Sequence, residues 1–231
     1  MNETNSKIVP LTSIQTRVGK LMIQSKHQMP CSYMRARADI TELLAFRKPY
    51  CKSIGTRVTT NDFFIYAIAQ GIKKYPMMAA RYDRHKENFV IPSTIRIGFA
   101  VSAAQGLVVP VIPDLAEKTL PQVASDADLL LKKARANKLT PDDFYGPNIV
   151  FSSLGMYGID YFYAVSPPGA TGIVSIGKIA DCLMPIDGDK MARKVMTIAI
   201  AADNRFVDDF YTAAFLKTVI EQIENPQSMT V

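Results

Sequence analysis

The chain has 231 residues, 48% of them hydrophobic and 21% charged, with a formal net charge of +6. That length suits one well-cored domain, and the composition excludes a disordered or fibrous chain. No run of about eighteen apolar residues is present and the start M-N-E-T-N-S-K is polar, so neither a helical membrane span nor an export signal is expected, and a cytoplasmic protein is. Three cysteines, Cys31, Cys51 and Cys182, form no metal-ligand pattern and no disulfide framework, which fits a reducing compartment and no bound metal. The basic residues are dispersed and no recognition motif accompanies them, so nucleic acid is not an expected partner.

In chain order, residues 1–6 read as a flexible arm and residues 7–231 as a single domain, with no repeat or linker. Residues 11–28 carry Leu11, Ile14, Val18, Leu21 and Met22 at helical spacing, stopped by Pro30. S-Y-M-R-A-R-A-D-I alternates as a strand does. V-T-T-N-D-F-F-I-Y-A-I-A-Q-G-I-K-K-Y-P predicts a deeply buried helix, with Thr60 or Asn61 as its cap and Pro76 beyond its end. His85, in D-R-H-K-E-N, reads as a surface residue. T-I-R-I-G-F-A-V-S and G-L-V-V-P-V-I read as two strands joined by A-A-Q-G, with Gly106 at the turn. Residues 120–137 predict an amphipathic helix with Lys132, Lys133 and Arg135 at its end. N-I-V-F-S-S-L-G, G-I-V-S-I-G-K and K-V-M-T-I-A-I-A read as further strands, and a last helix runs from near Asp208 to about Ile223. Strands and helices mix without strict alternation. The expected fold is therefore α/β in content, an α+β two-layer sandwich whose mixed sheet carries its helices mainly on one face.

The common catalytic motifs are absent: no Gly-rich phosphate loop, no G-x-S-x-G, no H-E-x-x-H and no paired C-x-x-C. Three places remain. His27 follows the first helix in S-K-H-Q-M-P. I-V-F-S-S-L-G-M-Y-G ends a strand in two small hydroxyls and then glycines, so Ser152 or Ser153 faces a ligand or simply begins a turn. D-N-R-F-V-D-D sets Asn204, Arg205, Asp208 and Asp209 at a strand-to-helix junction, where Arg205 can pair with a carboxylate and Asp208 can cap the helix. Lys132, Lys133, Arg135 and Lys138 form either a solvated helix face or a patch for phosphates.

Taken together, V-P-L-T-S-I-Q-T-R-V-G-K-L-M-I-Q-S-K-H-Q-M-P, V-T-T-N-D-F-F-I-Y-A-I-A-Q, I-G-F-A-V-S-A-A-Q-G-L-V-V-P-V-I, K-A-R-A-N-K-L, F-S-S-L-G-M-Y-G-I-D-Y-F, S-P-P-G-A-T-G-I-V-S-I-G and D-N-R-F-V-D-D resemble, in order, one family. It is the catalytic domain of the dihydrolipoamide acyltransferases of 2-oxoacid dehydrogenase complexes, which share the fold of chloramphenicol acetyltransferase. The resemblance implies a homotrimer with active sites at subunit interfaces, coenzyme A or acyl-coenzyme A as a substrate, and transfer without a covalent enzyme intermediate. The acceptor it implies is a small molecule or a carrier-bound group. In the family the turn reads D-H-R-x-x-D-G, its histidine taking the proton of the attacking thiol or hydroxyl and its aspartate ordering the site. A serine of the S-x-L-G stretch binds the oxyanion, which points to Ser152, with Ser153 the alternative.

This chain departs from that pattern. Asn204 stands at the histidine position and Asp209 at the glycine position, leaving Arg205 and Asp208 as the retained members. An amide cannot accept the proton, so His27 is the alternative base. The family's arginine near the end of the first helix falls on Leu21, with Arg17 one turn earlier as a substitute partner for Asp208. P-C-S-Y-M replaces P-H-Y-Y, putting Cys31 and Tyr33 in the acceptor pocket. Neither a lipoyl nor a subunit-binding domain is expected with this domain, and no covalently bound lipoate. Two readings follow from the resemblance. One is a free-standing acyltransferase, analogous to those of secondary metabolism such as tetronate acetylation, in which Asn204 is a natural or an engineered loss. The other is a catalytically silent paralogue that trimerises or joins an acyltransferase core.

Overall fold

The computed structural model describes residues 7–83, 87–103, 106–186 and 188–230. The expectations for the arm at 1–6, for His85, for Ala104 and Gln105 of A-A-Q-G and for the side chain of Ile14 lie outside them. The elements run α1 (Ser13–Gln28), β1 (Cys31–Asp39), α2 (Thr41–Ile54), α3 (Thr60–Lys74), β2 (Arg81–Asp83), β3 (Asn88–Val90), β4 (Ile97–Phe99), β5 (Val101–Ala103), β6 (Gly106–Val108) and β7 (Val111–Ile112). Then come α4 (Leu120–Arg135), β8 (Ile149–Ser153), β9 (Gly172–Ile186), β10 (Asp189–Asp203) and α5 (Asp209–Glu224). The central sheet has the order β1-β10-β9-β8-β4-β7. It is mixed, because β8 lies parallel to both β4 and β9 while the other neighbours are antiparallel.

Hydrophobic patterning explains the layering. Phe63, Phe64, Ile65, Ala67, Ile68 and Ala69 of α3 are all buried, so this helix is apolar on most of its circumference and occupies the centre of the helical layer. Phe64 stacks on Phe151 of β8 with ring centroids 6.0 Å apart, joining that layer to the sheet. Residues of α2, α4 and α5 complete the same core with Ile198, Ile200 and Ala202 of β10. The opposite face of the sheet has only a small apolar cluster of Val150, Ala170, Ile173 and Ala201. Farther along β1 that face exposes Tyr33, Arg35 and Arg37.

Two expectations needed adjusting, and one helix had no counterpart among them. The cap of α3 is Thr59, whose side chain accepts from the Asp62 N–H while Asp62 reaches back, a reciprocal capping box one residue earlier than expected. The strand pair around Gly106 is broken into four short strands. α2 was not anticipated, because Pro49 lies inside it and Arg47, Lys48 and Lys52 dilute its apolar pattern. α1 forms as expected but packs little on its own chain. Val18, Leu21 and Ile23 are exposed on it, as are Ile8, Val9 and Leu11 before it. Among the described residues no helix is long and apolar enough to cross a membrane.

Candidate active site

β10 ends in Asp203, 1% exposed, and the turn that follows is built on its carboxylate. Arg205 donates from Nε to Oδ1 at 3.0 Å, from Nη2 to Oδ2 at 2.6 Å and from its backbone N–H to Oδ1 at 3.1 Å. The hydrogen bonds it donates to Asp203 hold the Arg205 guanidinium above its ordinary pKa against the opposing effect of burial. The same guanidinium lies over the rings of Phe206 and Tyr82, at 5.0 and 5.3 Å. Locked on both sides, the turn presents Asn204 to solvent. The Asn204 N–H donates to the Pro30 carbonyl at 2.9 Å, which fastens the turn to the exit of α1. Asp208 caps α5, accepting from the Tyr211 N–H at 2.8 Å, and Asp209 accepts from the Ser32 hydroxyl at 2.5 Å. No ion pair joins Arg17 to Asp208 among the described residues, and both Arg17 and Leu21 are exposed on α1.

Beside this turn, the start of β1 pairs with the end of β10, Cys31 opposite Asp203 and Tyr33 opposite Ala201. Cys31 and Tyr33 therefore share the open face of the sheet. Lys26, in the last turn of α1, donates from Nζ to the Tyr33 hydroxyl at 3.0 Å. The Tyr33 ring meets Tyr163 edge-on at 5.2 Å, Tyr163 meets Tyr161 at 6.0 Å, and Arg35 lies 3.7 Å over Tyr161. Burial first, and then the Asp203 carboxylate, push the Cys31 thiol up from its ordinary pKa, while Lys26, Tyr33 and Arg205 pull the other way. His27, the one histidine among the described residues, is exposed three positions before Pro30.

The serines stand elsewhere. Phe151 belongs to the helix-side core and Val150 to the open-face cluster, so by strand alternation Ser152 points to the open face and Ser153 to the helices. The Ser152 hydroxyl has no partner among the described residues. Ser152 pairs with Ser175 of β9, and Ser175 with Ala199 of β10. Asn204 lies five residues farther along, which at ordinary strand spacings separates it from Ser152 by roughly 15–20 Å. One chain does not bring the two together. The glycine of S-x-L-G is explained by close packing, since a Cβ on Gly155 would strike the Gly177 carbonyl on β9.

Of the expected phosphate-binding cations, Lys132 is paired with Asp128 at 2.6 Å and Lys133 with Asp143 at 3.0 Å. Arg135 and Lys138 are exposed. A second cationic groove went unnoticed in the sequence. It is lined by Arg47, Lys48, Lys52, Arg57, Cys51 and Gly55 at the end of α2. Arg47 donates to the Val58 carbonyl, and Lys48, Lys52 and Arg57 form no ion pair among the described residues. The signal was there in R-K-P-Y-C-K-S-I-G-T-R, four cations with no carboxylate between them. No group of His, Cys, Asp and Glu side chains able to hold a metal occurs among the described residues.

The dihydrolipoyllysine-residue acetyltransferase component of the pyruvate dehydrogenase complex of Rickettsia felis is 30% identical over 234 residues, covering 100% of this chain and 56% of that protein. The mitochondrial pyruvate dehydrogenase protein X component of Mus musculus is 31% identical over 226 residues, covering 96% of this chain and 44% of that protein. The chain thus spans about half the length of the curated relatives it matches. A solved dihydrolipoamide acetyltransferase of Azotobacter vinelandii, studied for the role of a serine, a histidine and an asparagine in its catalytic mechanism, superposes with a TM-score of 0.91 at 26% identity. That match covers 98% of this chain and 95% of the other. A chloramphenicol acetyltransferase superposes over 88% of this chain and 94% of its own at a TM-score of 0.54 and 17% identity, a likeness of fold alone. The profile of the family described as 2-oxoacid dehydrogenases acyltransferase (catalytic domain) matches residues 3–231, and the chain belongs to that family.

Proposed function

We propose that this acyltransferase domain moves an acyl group between coenzyme A and a thiol acceptor, in a site shared by neighbouring copies of a homotrimer. One observation carries the reading. Ser152, Asn204 and Asp208 stand at the same mutual spacing along the chain as the serine, histidine and asparagine studied in the Azotobacter vinelandii enzyme. Within one chain Ser152 and Asn204 are too far apart to act on one carbonyl, so the second copy supplies the missing member. The unpartnered apolar residues of α1 and the open sheet face are surfaces such a copy would cover.

The roles follow from chemistry. The acceptor sulfur attacks the thioester carbonyl, the Ser152 hydroxyl donates to the developing oxyanion, and the carbon–sulfur bond to coenzyme A breaks as its thiolate leaves. Asn204 can hold the attacking group but cannot take its proton, because an amide does not titrate near neutrality. A positioned base is worth ~10² to 10⁴ in rate. A thiol loses less than an alcohol does, since a few per cent of it is already thiolate near pH 7. This argues for a thiol over a hydroxyl such as that of a tetronate precursor, for which His27 would have to serve as base. Arg47, Lys48, Lys52 and Arg57 suit the coenzyme phosphates better than Lys132 and Lys133, whose charges are already matched. Arg135 and Lys138 remain available for the same ligand.

Asn204 also favours a second reading, a catalytically silent paralogue within an acyltransferase core. Release of coenzyme A thiol from acetyl-coenzyme A, with dihydrolipoamide as acceptor, separates the two. Turnover by the protein, lost on Ser152→Ala, supports the enzyme. Turnover that appears only in Asn204→His supports the silent paralogue.

A further inference from the structure

Resting on that reading, we infer that Lys26 and Tyr33 form a clamp that holds the acceptor sulfur as an anion, doing by electrostatics what a general base would do by proton transfer. The Tyr33 oxygen already accepts from the Lys26 ammonium at 3.0 Å. Its own O–H therefore has to be donated elsewhere. The ring has little freedom to turn away, because Lys26 also lies 5.5 Å over it and Tyr163 meets its edge at 5.2 Å. Tyr33 stands two residues from Cys31 on the same face of β1, and the Asn204 N–H is fastened to Pro30 immediately before them. A donor backed by a cation thus acts on the sulfur of Cys31, on the strand whose start borders the Asn204 turn.

Cys31 shows how this place treats a sulfur. The charged and titratable groups facing it are Lys26 from α1, Tyr33 from its own strand, and Asp203 and Arg205 from β10 and its turn. Burial and Asp203 disfavour its thiolate, whereas Lys26, Tyr33 and Arg205 favour it. Most of the Asp203 charge is committed to Arg205. An acceptor sulfur bound on this face and less buried than Cys31 would meet the same donors against a smaller burial penalty. Cations beside a thiol raise its thiolate fraction, and the thiolate is the nucleophile. Tyr33 is assigned as a catalytic residue that touches the acceptor, and Lys26 as the positioning residue behind it.

The test has two readouts. Alkylation of Cys31 by iodoacetamide, followed by peptide mass spectrometry against pH in a Cys51→Ser, Cys182→Ser background, reports the site without requiring turnover. Tyr33→Phe and Lys26→Met should each displace the alkylation profile to higher pH and slow it several-fold at pH 7.5, with Lys26→Arg restoring most of the rate. In the acyl transfer assay the same variants should lower kcat/KM for dihydrolipoamide roughly 10-fold or more, within the usual range for a positioned polar group, and leave coenzyme A affinity unchanged. Alkylation that is indifferent to both substitutions in folded protein overturns the clamp. Altered alkylation with no turnover by any variant shows that Lys26 and Tyr33 act on a sulfur at this place, removes the enzyme reading, and with it overturns their role toward an acceptor.

Discussion

At the residue scale the candidate site rests on a carboxylate to which the sequence pattern gives no role. In D-N-R-F-V-D-D the pattern singles out Asp208 and Asp209, while Asp203, the first residue of the motif, is left without a function. Only the pairing of β10 between β1 and β9 buries Asp203, and burial is what makes its bidentate grip on Arg205 the support of the Asn204 turn. Asp203→Asn should cost about 1–2 kcal/mol in urea unfolding, the scale of charge-assisted hydrogen bonds with one partner still open to water. Asp208→Ala removes a helix cap and should cost about 1 kcal/mol. If Asp208 only caps α5, Asp208→Asn, which keeps a capping oxygen, should match the parent in both stability and acyl transfer. A loss of transfer with stability kept would give Asp208 a part in the chemistry.

At the element scale, legibility followed apolar patterning between clear boundaries. α5 repeats a helical period, whereas α3 and β8 are nearly continuous apolar runs, ended by K-K-Y-P and by Ser152 and Ser153. α2 was not legible, because Pro49 and its three cations hide the apolar face that Leu43 and Phe46 supply. What starts α2 is also non-local. Its cap residue Ile40 offers no side-chain hydrogen bond, and Asp39 accepts instead from the Thr41 N–H and hydroxyl while Arg193 of β10 donates to it at 2.5 Å. Burial pushes the Asp39 carboxyl up, but the bonds from Thr41 and Arg193 outweigh it and hold the group below its ordinary pKa. With a depressed folded-state pKa, this stabilisation is present above the unfolded value near 4 and is lost as pH falls through the lower folded value. Thermal unfolding of Asp39→Asn should therefore show less decline than the parent as pH falls below about 4, starting from a lower midpoint at neutrality. The glycines of β9 were legible as a pattern but not in purpose. A Cβ on Gly177 would meet the Asp160 carbonyl of the loop that follows β8, so Gly177→Ala should displace that loop. Stability and transfer should fall together.

At the scale of the whole molecule, the proposed site needs a second copy, because Ser152 and Asn204 stand too far apart on one chain to act on one carbonyl. The sequence pattern puts Ser152 at the end of a strand and Asn204 at a strand-to-helix junction, yet nothing in one-dimensional spacing reveals that two strand steps and five residues separate them. The separation makes a prediction that single substitutions cannot. A Ser152→Ala, Asn204→His chain offers a base without an oxyanion donor, and the parent chain offers a donor without a base. If each site takes its serine from one copy and residue 204 from the next, reassembled mixtures contain some sites with both groups. For random mixing at equal amounts that is about a quarter of sites in a closed ring. Regaining a base is worth ~10² to 10⁴ in rate, so even a quarter of sites should carry the mixture well above the activity of either chain alone. Sites confined to one chain would leave the mixture at the mean of its parents. The same assembly should fail when Val18, Leu21 and Ile23 of α1 are changed together to serine, with sedimentation showing the single chain, because those side chains find no cover on their own domain.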